Sequence, residues 1–265
     1  VESVIIVLGV ILGEVSEVAS NLFWTFFSLS LVTLLISYVP LFLAFLESLQ
    51  KLPVVICLDR AGIVGEDGPT HHGAFDLAFL RAVPNLIIAS PINEIELRQM
   101  LYTAYCQREK PFVIRYPRGR GVLQNWKVPF EELPIGKAQI LKKGEKMAIL
   151  SLGPLGNFVA EALETLSEEN IMPAHINIRF LKPLDYDMLK EISSQYNTLI
   201  TVEDGTELGG LYSAVSEYLS ENHLQNKLYK IALPDKFIEH GSADSLYVQL
   251  GMDRKGIADL IRKHY

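Results

Sequence analysis

The sequence predicts an α/β protein built from two consecutive units, each with a mostly parallel sheet covered by helices. Short apolar runs rich in β-branched residues alternate with segments of helical periodicity, the order expected of parallel strands joined by helices. The chain has 265 residues, enough for two ordinary domains. A stretch of glycine, proline and mixed charge interrupts the alternation near its middle. We therefore divide the chain into an apolar segment (1–48), a first unit (49–121), a linker (122–145) and a second unit (146–265).

The first unit begins with the apolar run LPVVICL, residues 52–58, which predicts a buried strand with Cys57 in the core. Residues 76–81 predict a short helix, and residues 85–90 (NLIIAS) predict a second strand. Asn93, followed by Glu94 and Glu96, has the pattern of a helix N-cap with an acidic first turn. The helix gives way to a third strand at residues 112–116 (FVIRY). This order predicts a parallel sheet with its helices on the faces.

The second unit repeats the alternation from Met147 onward. Strands are predicted at residues 147–152, 174–178, 198–204 and 229–232, and helices at residues 157–168, 185–193, 210–219 and 255–264. The turn at residues 205–210, which follows Glu203 and Asp204, resembles a strand-to-helix turn that receives an anion. A glycine-rich turn is weak evidence when it stands alone.

Charge and cysteine content exclude several functional classes. The net charge is -7 and the isoelectric point is near 5.4, so no basic stripe is available for general nucleic-acid binding. Two cysteines, Cys57 and Cys106, cannot form a disulfide framework, which indicates a reducing compartment. We expect a cytoplasmic protein, or a plastid one if the source is plant-like. Small anions held by local arginines are the expected partners.

The first fifty residues differ from the rest. No charged residue occurs between Glu17 and Glu47, and residues 22–46 reach the roughly 20 residues needed to cross a bilayer. However, flanking Lys or Arg is missing until Lys51, and Pro40 interrupts the run. Three alternatives stay open for this segment: a membrane span, a buried helix, or sequence foreign to the fold.

Residues capable of chemistry cluster where predicted strands end. Arg60, Asp67 and His71 follow the first strand among four glycines, and Arg118 follows the third strand. Guanidinium groups there can hold a phosphate or carboxylate, a histidine can transfer a proton, and an aspartate can accept a hydrogen bond from a hydroxyl. The alternative is ordinary surface chemistry: ion-paired arginines, a solvated histidine and an aspartate in a turn. The adjacent histidines His71 and His72 are weak evidence for a metal.

The motifs together resemble one family. The run DRAGIVGEDGPTHHGAFD, then RQMLYTAY and RYPRGRG, is similar to 1-deoxy-D-xylulose-5-phosphate synthases, thiamine-diphosphate enzymes of the transketolase superfamily. LPIGKAQILKKGEKMAILSLG, RFLKPLD, TVEDG and LPDKFIEHG resemble the carboxyl-terminal domain of the same enzymes. The resemblance covers about residues 49–265. It implies an incomplete transketolase-like pyrimidine-binding domain followed by a transketolase carboxyl-terminal domain.

The resemblance also implies a reaction and a site. In this family thiamine diphosphate, held with Mg²⁺, promotes condensation of pyruvate with glyceraldehyde 3-phosphate and loss of carbon dioxide, which feeds isoprenoid and thiamine synthesis. Arg60 and Arg118 match the arginines that hold the acceptor phosphate. Asp67 and His71 match residues that contact its hydroxyl and carbonyl region, with His71 in the catalytic role. His72 stands where the motif varies and is left out of that set. A homodimer is expected.

Departures from the family pattern limit these expectations. The GDG motif for Mg²⁺ and diphosphate, the AEQHA segment with its catalytic glutamate, and the FLQRAYDQ segment are absent from the sequence. Glu14 and Glu17 stand in contexts that do not match. We therefore expect a truncated or frame-disrupted copy that is inactive alone, with its cofactor-binding residues unknown. The alternatives are a non-catalytic dimerisation or scaffold fragment, transketolase proper, and a 2-oxo-acid dehydrogenase β subunit.

Overall fold

Two sheets organise the chain in a computed structural model that describes residues 53–265. The predictions for segment 1–48, including the membrane alternative for residues 22–46, lie outside the described residues. Within the described residues, no helix is both long enough and apolar enough to span a bilayer.

The first sheet contains the strands β1 (Val55–Leu58), β2 (Ile87–Ala89), β3 (Phe112–Arg115) and β7 (Phe180–Lys182), in the order β1-β3-β2-β7. Its helices are α1 (Asp76–Arg81) and α2 (Glu94–Cys106). The pairs β1–β3 and β2–β3 are parallel, as predicted, whereas β7 runs antiparallel to β2. Because β7 lies in the part of the chain that belongs to the second unit, the second unit completes the first unit's sheet.

The second sheet has the order β4-β6-β5-β8-β9. Its strands are β4 (Gln139–Lys142), β5 (Met147–Leu152), β6 (Ala174–Asn177), β8 (Thr198–Thr206) and β9 (Lys227–Leu233). The helices are α3 (Leu155–Ser167), α4 (Tyr186–Gln195), α5 (Leu211–Glu221), α6 (Ala243–Gln249) and α7 (Arg254–His264). All pairs except β4–β6 are parallel. The predicted class, two α/β units with mostly parallel sheets, is confirmed.

Side-chain caps fix where several helices begin. The side chains of Asn93, Asp185, Ser242 and Asp253 each accept a hydrogen bond from the backbone N–H three residues later. Each such cap contributes about 1 kcal/mol, because it satisfies a helix N–H that otherwise lacks a partner. The N-cap predicted at Asn93 is therefore present.

Two local predictions differ from the structure. Cys57 is exposed, not in the core, because β1 is an edge strand of the described sheet and its side chains alternate between half-buried and exposed. Part of the segment predicted as a linker forms β4, an exposed edge strand whose polar and charged residues hide its strand pattern. The domain boundaries themselves stay predictions.

Apolar contacts hold the two units together. Phe112 of β3 and Phe180 of β7 are both fully buried and meet edge to face, with ring centroids 6.1 Å apart. Burying an aromatic side chain of this kind contributes about 1.5–3 kcal/mol. One core cluster includes Leu77 and Ile88 from the first unit together with Leu150 and Leu211 from the second. This shared core fixes the loops of the first unit against the second.

Candidate functional site

The loop after β1 carries three of the four predicted site residues and follows an unusual backbone path. Arg60 has a φ of 62°, a left-handed conformation that is uncommon for a residue other than glycine. Backbone hydrogen bonds tie the loop back on itself, from Gly62 N to Gly73 O and from Gly73 N to Arg60 O, each 3.0 Å long. At Gly73 a side chain would lie 2.4 Å from Arg60 O, so only glycine allows this closure. The loop therefore presents Arg60 from a fixed backbone position.

Asp67 joins the two predicted phosphate-binding arginines. Its Oδ2 accepts a hydrogen bond from Arg60 Nη1 at 3.0 Å and another from Arg118 Nη1. The side chains of Arg60, Asp67 and Arg118 are 37%, 30% and 54% exposed, so solutes can reach all three. Two guanidinium groups directed at one carboxylate oxygen form a geometry that also suits an oxygen of a phosphate or carboxylate ligand. The structure thus brings together Arg60, Asp67 and Arg118.

His71 lies on the same loop but has a different partner. Its Nδ1 is 2.9 Å from Thr70 Oγ1, and its backbone N–H donates to Gly68 O. The residue is exposed, and no hydrogen bond or ion pair joins its ring to Arg60, Asp67 or Arg118 among the described residues. Its assignment to catalysis stays a prediction.

His72 has a structural contact. Its Nδ1 accepts a hydrogen bond from Val64 N at 3.1 Å, so the ring braces the turn that carries Asp67. Because that nitrogen acts as an acceptor, the proton of the neutral ring is on Nε2, which is buried without a partner in the described structure.

A buried arginine holds this loop against the second unit. Arg115, the last residue of β3, is fully buried and donates from Nε to Asp76 at 2.9 Å and from Nη1 to Asp204 at 2.5 Å. Its Nη2 donates to Gly73 O at 3.2 Å. Burial alone would lower the pKa of Arg115, but the charges of Asp204 and Asp76 outweigh it and raise that pKa. Arg115 therefore stays charged and connects the site loop to β8.

The carboxylate of Glu203, a residue of β8, reaches the strand-to-helix turn where the sequence suggested a bound anion. Its carboxylate accepts hydrogen bonds from Leu211 N at 2.7 Å and Tyr212 N at 2.8 Å, at the start of α5. The anion at this helix terminus is therefore the protein's own side chain. Burial raises the pKa of Glu203 to about 7, although the two N–H bonds act in the opposite direction.

A cavity of about 340 Å³ opens beside Arg118, on the seam between the two units. The first unit supplies the residues after β3, including Tyr116 and Arg120, and the start of α2; the second unit supplies Pro154 and Asn157. The carboxyl ends of β2 and β3 meet at this edge, which is where ligands bind in open α/β sheets. Its size is within the range of small-molecule sites.

Arg115, Asp76 and Asp204 were missed by the sequence analysis, although one signal was available. Arg115 is a charged residue inside the apolar strand FVIR, and a buried charge requires a partner. The identity of those partners depends on the packing of two units, because Asp76 and Asp204 lie 39 and 89 residues away in sequence.

Comparisons with known proteins match both units. The model of the transketolase pyrimidine-binding domain matches residues 6–122, and that of the transketolase carboxyl-terminal domain matches residues 136–257. A 1-deoxy-D-xylulose-5-phosphate synthase from Parabacteroides distasonis is 52% identical over 82% of this chain and 34% of its own length. The synthase from Bacteroides thetaiotaomicron is 50% identical over 82% of this chain and 34% of its length.

A solved structure shares the fold. It is described as a split gene transketolase in an inactive β4 tetramer, and the match has a TM-score of 0.70 at 28% identity, covering 81% of this chain and 67% of that one. The chain spans about a third of the length of the curated synthases it matches. On the two domain models and the sequence identity, the chain belongs to the transketolase superfamily and corresponds to the carboxyl-terminal part of 1-deoxy-D-xylulose-5-phosphate synthases.

Proposed function

We propose that this chain supplies the acceptor-binding part of a 1-deoxy-D-xylulose-5-phosphate synthase. In the whole enzyme, pyruvate and glyceraldehyde 3-phosphate condense with loss of carbon dioxide. The observation that carries the proposal is the convergence of Arg60 and Arg118 on the single carboxylate of Asp67. A phosphate oxygen can take the place of that carboxylate and receive charge-assisted hydrogen bonds from both guanidinium groups.

Each of the four residues then has its own role toward the acceptor. Arg60 and Arg118 hold the acceptor phosphate and so orient the aldehyde end, which gains reactivity from position alone. Asp67, once released by the arginines, accepts a hydrogen bond from the acceptor hydroxyl. His71, exposed on the same loop, donates a proton to the acceptor's carbonyl oxygen as that oxygen gains charge.

Thiamine diphosphate supplies the electron sink in this chemistry when it is bound. The described residues contain no cluster of three or more His, Cys, Asp or Glu side chains that could hold Mg²⁺. We assign none of the described residues to the metal-diphosphate end of the cofactor. We propose that the chain is inactive alone and works with an amino-terminal part of the synthase, in a homodimer.

A non-catalytic role is the second candidate. The split gene transketolase that shares the fold is described as inactive in its β4 tetramer, which favours a chain that assembles without activity. The two candidates differ in one respect: a scaffold has no need to distinguish a phosphorylated acceptor.

The test is a chimera in which residues 49–265 replace the corresponding part of the Parabacteroides distasonis synthase, whose identity of 52% favours a working graft. We expect Arg118→Ala to raise the KM for glyceraldehyde 3-phosphate about 10- to 100-fold and to leave the KM for pyruvate unchanged. A hydrogen bond to a charged group contributes about 1.5–3 kcal/mol, which corresponds to that range.

Arg108→Ala is the matched control. Arg108 is an exposed arginine shortly before β3, whereas Arg118 follows the same strand, so the two lie near opposite ends of β3. Acceptor kinetics that are unchanged in Arg118→Ala would refute the proposed role.

A further inference from the structure

The two predicted phosphate-binding arginines are already engaged by a carboxylate. Both guanidinium groups donate to Asp67, and Arg60 Nε also lies 3.9 Å from Asp59, which is 72% exposed. A phosphate monoester carries a charge of about −1.5 to −2 at neutral pH. Arg60, Asp67 and Arg118 together carry a single net positive charge, and Asp59 reduces it further. Another cation is needed to balance the ligand.

Arg120 meets that need. It is exposed two residues after Arg118, and no carboxylate of the described residues lies within 4.0 Å of its guanidinium group. It lines the same 340 Å³ cavity as Arg118. Its five N–H donors are therefore available to a ligand that enters between the two side chains.

The backbone around Arg120 is held in place although the segment has no regular structure. Glu94, in the first turn of α2, accepts a hydrogen bond from Leu123 N at 3.2 Å through Oε2. Glu94 also packs so closely on Gly121 that a side chain there would lie 1.5 Å from Oε1. This contact fixes the chain immediately after Arg120 and keeps that residue over the cavity.

Glu94 also affects the charge balance. Glu94 is among the residues that line the cavity, so the two arginines Arg60 and Arg118 face three carboxylates, Asp59, Asp67 and Glu94, a net charge of −1 without Arg120. Arg120 raises this sum to zero. Without Arg120 a doubly charged anion would meet a cluster of net negative charge, and the repulsion would oppose its binding.

We infer that Arg120 is a third phosphate-binding arginine, which takes the acceptor's phosphate together with Arg60 and Arg118 from the side of the cavity. The inference rests on the proposed function. It adds a residue that determines the preference for a phosphorylated over an unphosphorylated aldehyde.

The test uses the 265-residue chain itself with inorganic phosphate as the probe, and follows amide chemical shifts by NMR at fixed ionic strength. We expect Arg120→Gln to raise the Kd about tenfold, which equals about 1.4 kcal/mol. Arg120→Lys keeps the positive charge but loses the planar guanidinium that can donate two parallel hydrogen bonds, so its Kd should lie between those of the unmodified chain and Arg120→Gln. Arg108→Gln, an equal change of charge at the distant end of β3, should stay within twofold of the unmodified chain.

The outcomes separate this inference from the proposed function. If Arg118→Gln weakens phosphate binding and Arg120→Gln does not, the inference is wrong and the acceptor site stands. If neither substitution changes the Kd, or the unmodified chain does not bind phosphate, both are overturned. An equal loss in Arg108→Gln would show that only net charge matters, which would also overturn the role of Arg120.

Discussion

Removal of the buried guanidinium of Arg115 tests how the site loop is held. Arg115 is fully buried, and its two ionic partners, Asp76 and Asp204, are nearly so, with side chains 10% and 1% exposed. Arg115→Met keeps most of the side-chain volume but leaves two buried carboxylates without a cation. Breaking a buried ion pair in this way costs about 3–5 kcal/mol, because the remaining charge has neither water nor a partner.

The chain offers a matched control in Arg262. That arginine also contacts two carboxylates, Glu169 and Asp259, but its side chain is 41% exposed. Exposed pairs contribute at most about 1 kcal/mol, because water competes with them. We therefore expect Arg115→Met to destabilise the chain by at least about 2 kcal/mol more than Arg262→Met.

Thermal and urea unfolding followed by circular dichroism would measure the difference. For the described part of the chain, each kcal/mol corresponds to roughly 2–4 °C, so Arg115→Met should lower the Tm by about 6–20 °C. Asp76→Leu and Asp204→Leu added to Arg115→Met should restore part of the loss, because an apolar core of similar volume can replace a buried ion network. Equal losses of stability in Arg115→Met and Arg262→Met would show that the buried ion network does not stabilise the chain more than an exposed one.

Two further predictions concern a buried histidine and a glycine. Burial and the charge of Lys142 lower the pKa of His175 to about 4 in the folded chain, compared with 6.5 for a free histidine. Between these two pH values the unfolded chain binds a proton that the folded chain does not, so the folded state loses stability as the pH falls. The free energy of unfolding of the unmodified chain should therefore drop by about 2 kcal/mol more than that of His175→Gln between pH 8 and pH 5. Glu203 contributes in the opposite direction, but it is present in both proteins and cancels in this comparison. Parallel pH profiles of the two proteins would contradict the prediction. Gly62→Ala should cost about 1–3 kcal/mol more than Gly251→Ala in urea unfolding. Both glycines have a positive φ, 70° and 64°, so the backbone strain of the substitution is similar. A side chain at Gly62 would lie 2.5 Å from Asp204 Oδ2, whereas Gly251 faces open space. Equal losses of stability in the two variants would show that this contact does not matter.

Local sequence patterns were sufficient to predict the fold class, the order of most elements and the loops that carry the candidate site residues. Apolar runs such as FVIRY and the cap at Asn93 are local signals, because strand burial and helix capping depend on neighbouring residues. Arg60, Asp67 and Arg118 follow predicted strands in the sequence, and the structure brings their side chains into contact.

Other features depend on how distant parts of the chain pack together. The strand β7 is three residues long and pairs with β2 across the unit boundary, so no periodicity could identify it. The exposure of Cys57 follows from the edge position of β1, which depends on strand order. The partners of Arg115 and the cavity beside Arg120 arise only when two units pack together, because the local sequence can mark Arg115 as a buried charge but cannot identify counter-charges that lie far away in the chain.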